Sequence, residues 1–269
     1  MAINFNNYII TPGTKVDLND YDPDEALRMG KEAAQKKHIK LTNTLVGLEK
    51  LLYAQGKNKV LVVLQSMDAG GKDSTIKSVF GPLNPKGVKV ASFKRPTEEQ
   101  LSHDYLWRIH KKAPANGELR IFNRSHYEDV LVVRVHDLVP KKQWNKRYRQ
   151  INDFERMLAE NGTTIRKFFL NISKDEQKER MQDRLDRPDK HWKFSSADLK
   201  ERDYWDDYMK AFEVALSKTS TKYAPWFVIP SNRKWTRNYI ISSILIDTLK
   251  GLNMKYPAPE RGMDKIVIK

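Results

Sequence analysis

The residues in this sequence best suited to chemistry form a short glycine-containing segment, Ser66-Met67-Asp68-Ala69-Gly70-Gly71-Lys72-Asp73-Ser74. Adjacent glycines let a backbone pass close to an anion and turn its N–H groups inward, and the following lysine supplies a mobile positive charge. The pattern G-x-x-x-x-G-K-[ST] is matched imperfectly, because Ser66 replaces its first glycine and Asp73 replaces its metal-binding hydroxyl. We predict a phosphate-binding loop whose contacts come from Ala69, Gly70, Gly71, Lys72, Asp73 and Ser74.

Asp68 adds information about a metal ion. A carboxylate next to phosphates is repulsive unless a cation lies between them, so Asp68 predicts Mg²⁺, with Mn²⁺ as a possible substitute. The alternative role for Asp68 is to cap loop N–H groups. Asp73 on the first helical turn is more typical of a surface acid favoured by the helix dipole. The chain has no cysteine, so any metal must bind oxygen or imidazole.

A second polar group follows an apolar stretch in Ile121-Phe122-Asn123-Arg124-Ser125-His126-Tyr127-Glu128. If Ile121 and Phe122 end a strand, the polar residues lie where ligands bind in open α/β sheets. Arg124 could neutralise charge on a transferred phosphoryl group, and Glu128 could hold metal or position the acceptor. Asn123 stands where a metal-binding aspartate is usual, and His126 has no second histidine at ligand spacing, which favours a structural or substrate-contacting role.

The elements around these groups predict an α/β fold. A continuous β-branched and aliphatic run at 59–64 indicates a buried strand, and 88–93, 119–122, 164–171 and 226–229 are further strand candidates. Helical patterns lie at 25–55, where an interruption near Gly30 stays open, and at 72–80, 98–111, 141–160, 174–186, 197–218 and 236–252. We expect one domain, a P-loop kinase-like three-layer sandwich with a central parallel sheet and helices on both faces. Residues 1–24 form an irregular arm, Asp24 caps the first helix, and residues 174–205 form a helical lid.

The net charge of +15 predicts an anionic partner, although salt-bridged helix faces account for part of it. A nucleic-acid-binding protein is a competing interpretation, with Trp107, Trp144, Trp192 and Trp235 available for stacking. It leaves the glycine loop unexplained, and the sequence has no RRM, zinc-finger or recognition-helix signature. The sequence has no apolar run long enough for a membrane helix, so we expect a cytoplasmic protein with no membrane partner.

Several motifs together resemble the polyphosphate kinase 2 family. They are the loop at 67–73 and the segment 122–130, with Ser92-Phe93-Lys94-Arg95-Pro96-Thr97, the segment 103–110, His191-Trp192-Lys193-Phe194 and Tyr223-Ala224-Pro225-Trp226. The likeness covers nearly the whole chain. It implies a thymidylate-kinase-like fold and Mg²⁺-dependent phosphate transfer between inorganic polyphosphate and nucleotides. Asn123 stands where other members have aspartate, and in this the sequence resembles the subgroup of the family that phosphorylates both AMP and ADP. The products would be ADP and ATP.

The resemblance also implies roles for individual residues. Asp68, Lys72, Arg124 and Glu128 would be catalytic, with Asp68 and Glu128 at the metal and Asn123, Arg124, Tyr127 and Glu128 at the nucleotide. The lid cations Arg184 and Lys193 would contact phosphate. A homo-oligomer is expected and nucleic acid is not. The alternative within enzymes is an ATP-dependent nucleotide or small-molecule kinase.

Overall fold

The computed structural model describes residues 3–263 and 266–268. Its centre is a five-stranded sheet in the order β2-β3-β1-β4-β5, with every strand pair parallel. The strands are β1 (Lys59–Gln65), β2 (Val88–Ser92), β3 (Leu119–Asn123), β4 (Thr163–Asn171) and β5 (Trp226–Pro230). β1 is buried beyond its first residue, as expected for a central strand covered on both faces.

Ten α-helices are assigned in the described residues. They are α1 (Lys31–Gln55), α2 (Lys72–Thr75), α3 (Glu98–Ser102), α4 (Trp107–His110), α5 (Val132–Val135), α6 (Lys141–Glu160), α7 (Lys174–Asp186), α8 (Ser196–Glu201), α9 (Trp205–Thr219) and α10 (Lys234–Gly251). A π-helical segment, Ile76–Phe80, extends α2. Short 3₁₀ helices span Phe5–Asn7, Leu18–Asp20, His126–Asp129, Pro188–Lys193 and Arg202–Tyr204.

The two faces of the sheet carry separate apolar cores. Leu61 and Val63 of β1 pack in the core formed with α6 and α9, whereas Val60, Val62 and Leu64 pack in the core formed with α1 and α10. Alternate side chains of a strand point to opposite faces, so one strand serves both cores. The result is the predicted three-layer sandwich with a parallel sheet in the middle.

Three predicted helices differ from the structure. The interruption left open near Gly30 is present, with φ +75°, and α1 begins after it, so the helix predicted from residue 25 loses its first turns and Asp24 is no N-cap but accepts hydrogen bonds from Arg233. The helix predicted at 98–111 is interrupted at His103, where the backbone is extended. The helix predicted at 197–218 is α8, a 3₁₀ turn and α9.

The segment before α1 has little regular secondary structure, and part of it pairs with the sheet. Ile9 forms an antiparallel bridge with Phe227, and the Ile10 N–H donates to the carbonyl of Trp226 (2.9 Å). The arm therefore covers the outer edge of β5, which would otherwise expose unpaired backbone groups. None of the helices within residues 3–263 and 266–268 is long and apolar enough to cross a bilayer.

Candidate active site

The glycine loop and the Asn123–Glu128 segment leave the sheet side by side. β1 and β3 are neighbours, with Leu64 opposite Asn123, and the Arg124 N–H donates to the carbonyl of Leu64 (3.2 Å). Parallel strands end at one edge of the sheet, so the segments after β1 and β3 meet there. The two groups singled out in the sequence therefore form one site.

The conformation of the loop explains its two glycines separately. A Cβ on Gly70 would lie 2.5 Å from Ser66 Oγ, so this position has no room for a side chain. Gly71 has a φ of +108°, which L-amino acids with side chains rarely adopt. Ala69 also lies in the left-handed region (φ +58°), which marks strain concentrated in the loop.

Lys72 is folded against the loop that it follows. Its side chain is buried, and Nζ donates to the carbonyl and the hydroxyl of Ser66 (both 3.0 Å). Burial lowers the pKa of the Lys72 ammonium, and the nearby Asp68 carboxylate opposes that change. Ser66, which stands where the loop pattern has glycine, thus supplies two acceptors that hold the lysine in place.

Asp68 and Arg124 form an ion pair that joins the two segments. Arg124 Nη2 donates to Asp68 Oδ1 at 2.8 Å. Arg124 reaches the loop from a left-handed backbone (φ +61°), an uncommon conformation for a residue other than glycine. From the sequence, Asp68 could be a metal ligand or a cap for loop N–H groups. The structure adds a third role, because Asp68 is the ion-pair partner of Arg124.

Glu128 lies on the 3₁₀ turn His126–Asp129, where its carboxylate is close enough to Arg124, Lys72 and Asp68 for their charges to affect its pKa. Burial raises the pKa of Glu128, the positive charges of Arg124 and Lys72 oppose this, and Asp68 adds to the rise. Asp68 and Glu128 therefore share one pair of cations. This is a donor set that suits Mg²⁺, which takes one or two carboxylates and completes its shell with substrate phosphates and water. Residues 3–263 and 266–268 contain no group of three or more histidine or carboxylate side chains that could hold a metal unaided.

Asn123 links the end of β3 to the helix that follows the loop. Its Nδ2 donates to Asp73 Oδ1 at 2.8 Å, and Asp73 is exposed on the first turn of α2. Ser74 donates from Oγ to the carbonyl of Gly71 (2.9 Å). The side chains of Asp73 and Ser74 therefore bond to protein groups beside the loop, and their contact with phosphate stays a prediction.

Tyr127 lies beneath the site, inside a buried ionic cluster. It is fully buried, and its hydroxyl bonds with Glu155 (2.8 Å) and Lys167 (2.7 Å). Lys167 also donates to Glu155 (2.5 Å), and His126 contacts the same carboxylate (3.1 Å). We call Glu155, Lys167, His126 and Tyr127 the buried cluster. The predicted contact of Tyr127 with a nucleotide has no support in this geometry, because the side chain anchors the turn that carries Glu128.

The predicted lid approaches the loop through a different arginine from the one expected. Arg184 donates to the carboxylate of Asp198 and the carbonyl of Lys193 (both 3.3 Å), so its hydrogen bonds stay within the predicted lid. The side chain of Lys193 is exposed. Arg180, one turn earlier on α7, donates from Nη1 to the carbonyl of Ala69 (3.0 Å). Arg180 also pairs with Glu176 (2.7 Å) on the same helix.

Other contacts to the loop come from distant parts of the chain that were not among the predicted site residues. Gln177 Nε2 donates to the carbonyl of Asp68, and Ser231 Oγ donates to the carbonyl of Gly70 (both 2.8 Å). Arg237, on the first turn of α10, donates from Nη2 to Ser74 Oγ (3.0 Å).

A glycine loop between a buried strand and a helix, with cations and two carboxylates at one sheet edge, defines a phosphoryl-transfer enzyme of the P-loop kinase class. Residues 28–257 match the family profile described as polyphosphate kinase 2. An AMP/ADP-polyphosphate phosphotransferase from Meiothermus ruber is 58% identical over 97% of this chain and 98% of the relative. An ADP-polyphosphate phosphotransferase from Rhodopseudomonas palustris is 43% identical over 96% of this chain and 93% of the relative.

The crystal structure of polyphosphate kinase 2 from Arthrobacter aurescens superposes with a TM-score of 0.94 at 42% identity, covering 98% of this chain and 96% of that one. The likeness therefore extends over sequence, fold and nearly the full length. The chain belongs to the polyphosphate kinase 2 family.

Proposed function

We propose that this enzyme transfers the terminal phosphoryl group of inorganic polyphosphate to AMP and to ADP, with Mg²⁺, giving ADP and ATP. The observation that carries the proposal is the convergence of Lys72, Arg124 and Arg180 on one glycine loop, in a chain similar throughout to a phosphotransferase named for both nucleotides. We also propose that residues 174–205 act as a lid of this single domain, because α7 contacts the loop through Gln177 and Arg180.

The reaction needs little covalent help from the protein. An oxygen of the acceptor phosphate forms a bond to the terminal phosphorus of polyphosphate, and the bond from that phosphorus to the bridging oxygen breaks, so polyphosphate leaves shorter by one phosphate. The acceptor oxygen is already anionic near neutral pH, because the second pKa of a phosphate monoester is about 6. Asp68 and Glu128 are therefore not required as general bases.

The protein groups act by position and charge. Loop N–H groups and Lys72 would hold the terminal phosphate, while Arg124 would neutralise charge that builds on its equatorial oxygens. Asp68 and Glu128 would hold Mg²⁺, which when bound neutralises phosphate charge and aligns donor with acceptor. Asn123, at the end of β3, would face the acceptor nucleotide.

The direct test is an incubation with AMP, Mg²⁺ and polyphosphate in the absence of ATP. We expect ADP and then ATP, measured by chromatography. An ATP-dependent kinase would make no product under these conditions but would phosphorylate AMP when ATP replaces polyphosphate. A nucleic-acid-binding protein would do neither, so the two incubations separate the proposed reaction from an ATP-dependent nucleotide kinase and from a nucleic-acid-binding protein.

Variants assign the roles. Lys72→Ala or Arg124→Ala should lower kcat/KM about 30- to 1,000-fold, since removal of one such electrostatic donor costs about 2 to 4 kcal/mol in other enzymes. Lys57→Ala is the matched control, because Lys57 is exposed and precedes β1 at the opposite edge of the sheet from the loop. Full turnover in folded Lys72→Ala would contradict the proposed role.

Two finer expectations also remain proposals. The positive charge should make polyphosphate affinity fall steeply with salt through counterion release, so an affinity independent of salt would contradict a polyanion channel. A homo-oligomer is supported by Ile39, Val46 and Tyr53, exposed on α1 at seven-residue intervals. Light scattering of the native chain and of Val46→Lys tests this face of α1. We expect a lower mass for Val46→Lys, and an unchanged mass would exclude this face as the subunit interface.

A further inference from the structure

Arg237 is an unusual side chain for the interior of a protein. It is fully buried, and its Nε and Nη2 atoms donate to Asn238 Oδ1 (3.1 and 3.0 Å), with Ser74 Oγ as a further acceptor (3.0 Å). Within the described part of the chain, its Nη1 atom has no hydrogen-bond partner and its guanidinium has no carboxylate within salt-bridge distance. All of its acceptors are neutral oxygens.

The nearest charges make this position less favourable still. Burial lowers the pKa of Arg237 to about 9, and repulsion from Arg180 contributes in the same direction. Lys234, one turn away on α10, is exposed and also senses both arginines. A buried charge is strongly unfavourable unless an opposite charge accompanies it. Arg180 is paired with Glu176 and Lys234 is exposed, so Arg237 is the member of this group that calls for an anion.

The position of the group points to the glycine loop. A Cβ on Gly71 would lie 2.0 Å from Arg237 Nη1 and 3.4 Å from Arg180 Nη1, so both guanidinium groups face the residue immediately before Lys72. Both also bond to the loop, Arg180 through the carbonyl of Ala69 and Arg237 through the hydroxyl of Ser74. The first turn of α10 adds the positive end of its helix dipole, and no side chain caps that end.

We propose that Arg237, Arg180 and Lys234 form an anion subsite beside the loop that binds a phosphate of the polyphosphate donor behind the one being transferred. This inference rests on the proposed function. In polyphosphate every unit carries negative charge, whereas the part of ATP beyond its phosphates is an uncharged ribose and base. An uncompensated buried guanidinium beyond the loop therefore fits a continuing phosphate chain better than a nucleoside.

The test uses tripolyphosphate as the probe and thermal unfolding as the readout. Native enzyme should unfold at a higher temperature as tripolyphosphate is added. Arg237→Gln should be at least as stable as native enzyme without ligand, because the change removes an uncompensated buried charge. It should need about 10- to 150-fold more tripolyphosphate for the same stabilisation, as expected for loss of a hydrogen bond to a charged group. In turnover, KM for polyphosphate should rise while KM for AMP is unchanged.

Arg166→Gln is the matched control, because Arg166 Nε bonds to α10 through Thr248 (2.9 Å) at the far end of the helix. This variant should keep the native dose response. If tripolyphosphate fails to stabilise even the native enzyme, the proposed function itself fails. If it stabilises native enzyme and Arg237→Gln at equal concentrations, only the subsite is refuted.

A second variant covers the case in which Arg237→Gln does not fold. Lys234→Ala changes an exposed side chain, so we expect native stability without ligand and a several-fold weaker response to tripolyphosphate. A native response in Lys234→Ala, combined with loss of folding in Arg237→Gln, would make Arg237 a structural residue and overturn the subsite.

Discussion

Replacement of Lys167 by methionine is the sharpest test of the buried cluster. Lys167 is fully buried, and its ammonium donates to Glu155 (2.5 Å), to the Tyr127 hydroxyl (2.7 Å) and to the carbonyl of Thr219 (2.8 Å). Methionine fills similar space without the charge. Glu155, which is also fully buried, would then lose its ion pair with Lys167.

The expected loss of stability is large. Removing one member of a buried ion pair costs about 3 to 5 kcal/mol, because the other charge stays buried without compensation. For a chain of this size, each kcal/mol lowers the midpoint of thermal unfolding by about 2 to 4 °C, which gives a fall of roughly 6 to 20 °C. Differential scanning calorimetry of Lys167→Met measures this directly.

The double variant Glu155→Leu, Lys167→Met provides the control. Replacing both members with apolar residues removes the unpaired charge, so most of the lost stability should return. Turnover of the double variant should stay low below its unfolding temperature, because Tyr127 and His126 would no longer fix the turn that carries Glu128. If Lys167→Met unfolds within a degree or two of native enzyme, Glu155 is not a buried carboxylate paired with Lys167 and the reasoning is refuted.

Three further substitutions have distinct outcomes. Gly71→Ala should lose at least about 1 to 2 kcal/mol of stability, because the φ of Gly71 is +108°, and it should lose the response to tripolyphosphate, because the new Cβ would meet Arg237. Gly162 also has a positive φ (+84°) but lies in open space, so Gly162→Ala should lose stability in calorimetry and keep its response to tripolyphosphate. Glu128→Gln should unfold at a higher temperature than native enzyme at pH 7 while losing activity, because burial raises the pKa of Glu128 and the native fold disfavours its charged form; a lower midpoint would contradict this sign. Burial tends to raise the pKa of Glu118, but hydrogen bonds from two cations lower it to about 2, so its stabilisation is present above pH 4.5 and lost as the pH falls towards 2. Glu118→Gln should therefore be less stable than native enzyme at pH 7 and match it near pH 2 in urea unfolding, whereas a pH-independent difference would rule out this linkage.

The sheet and the loop could be predicted because their signals are local. A strand covered on both faces must be apolar throughout, and a loop that wraps a phosphate must contain glycine where a Cβ has no space. β1 and Gly70 satisfy these conditions within a few residues of sequence. The interrupted helices were less accessible, since the polar run around His103 and the charged run before Trp205 both suit a helix until tertiary contacts decide otherwise.

The contacts around the loop were only partly predictable. Arg124 was recognisable because it directly follows a buried strand, where ligands bind in such sheets. Arg180 and Arg237 lie on helices far along the chain, and nothing in their neighbouring residues distinguishes them from surface cations. Their approach to Gly71 depends on how α7 and α10 leave β4 and β5, which is set by the packing of the whole sandwich.

The net charge of +15 indicated an anionic partner but not its place, and the pairing of the cations supplies that place. Arg184 and Lys167 each bond to a carboxylate, so much of their charge is already compensated within the fold. Lys72 and Arg237 are buried, and the hydrogen bonds of their charged groups end on neutral oxygens. Because neutral oxygens compensate a buried charge only weakly, these two side chains gain most from an arriving phosphate. Both lie against Gly71 or the loop around it, which is why the loop, and not the basic surface in general, is the place where we expect the polyanion to be held.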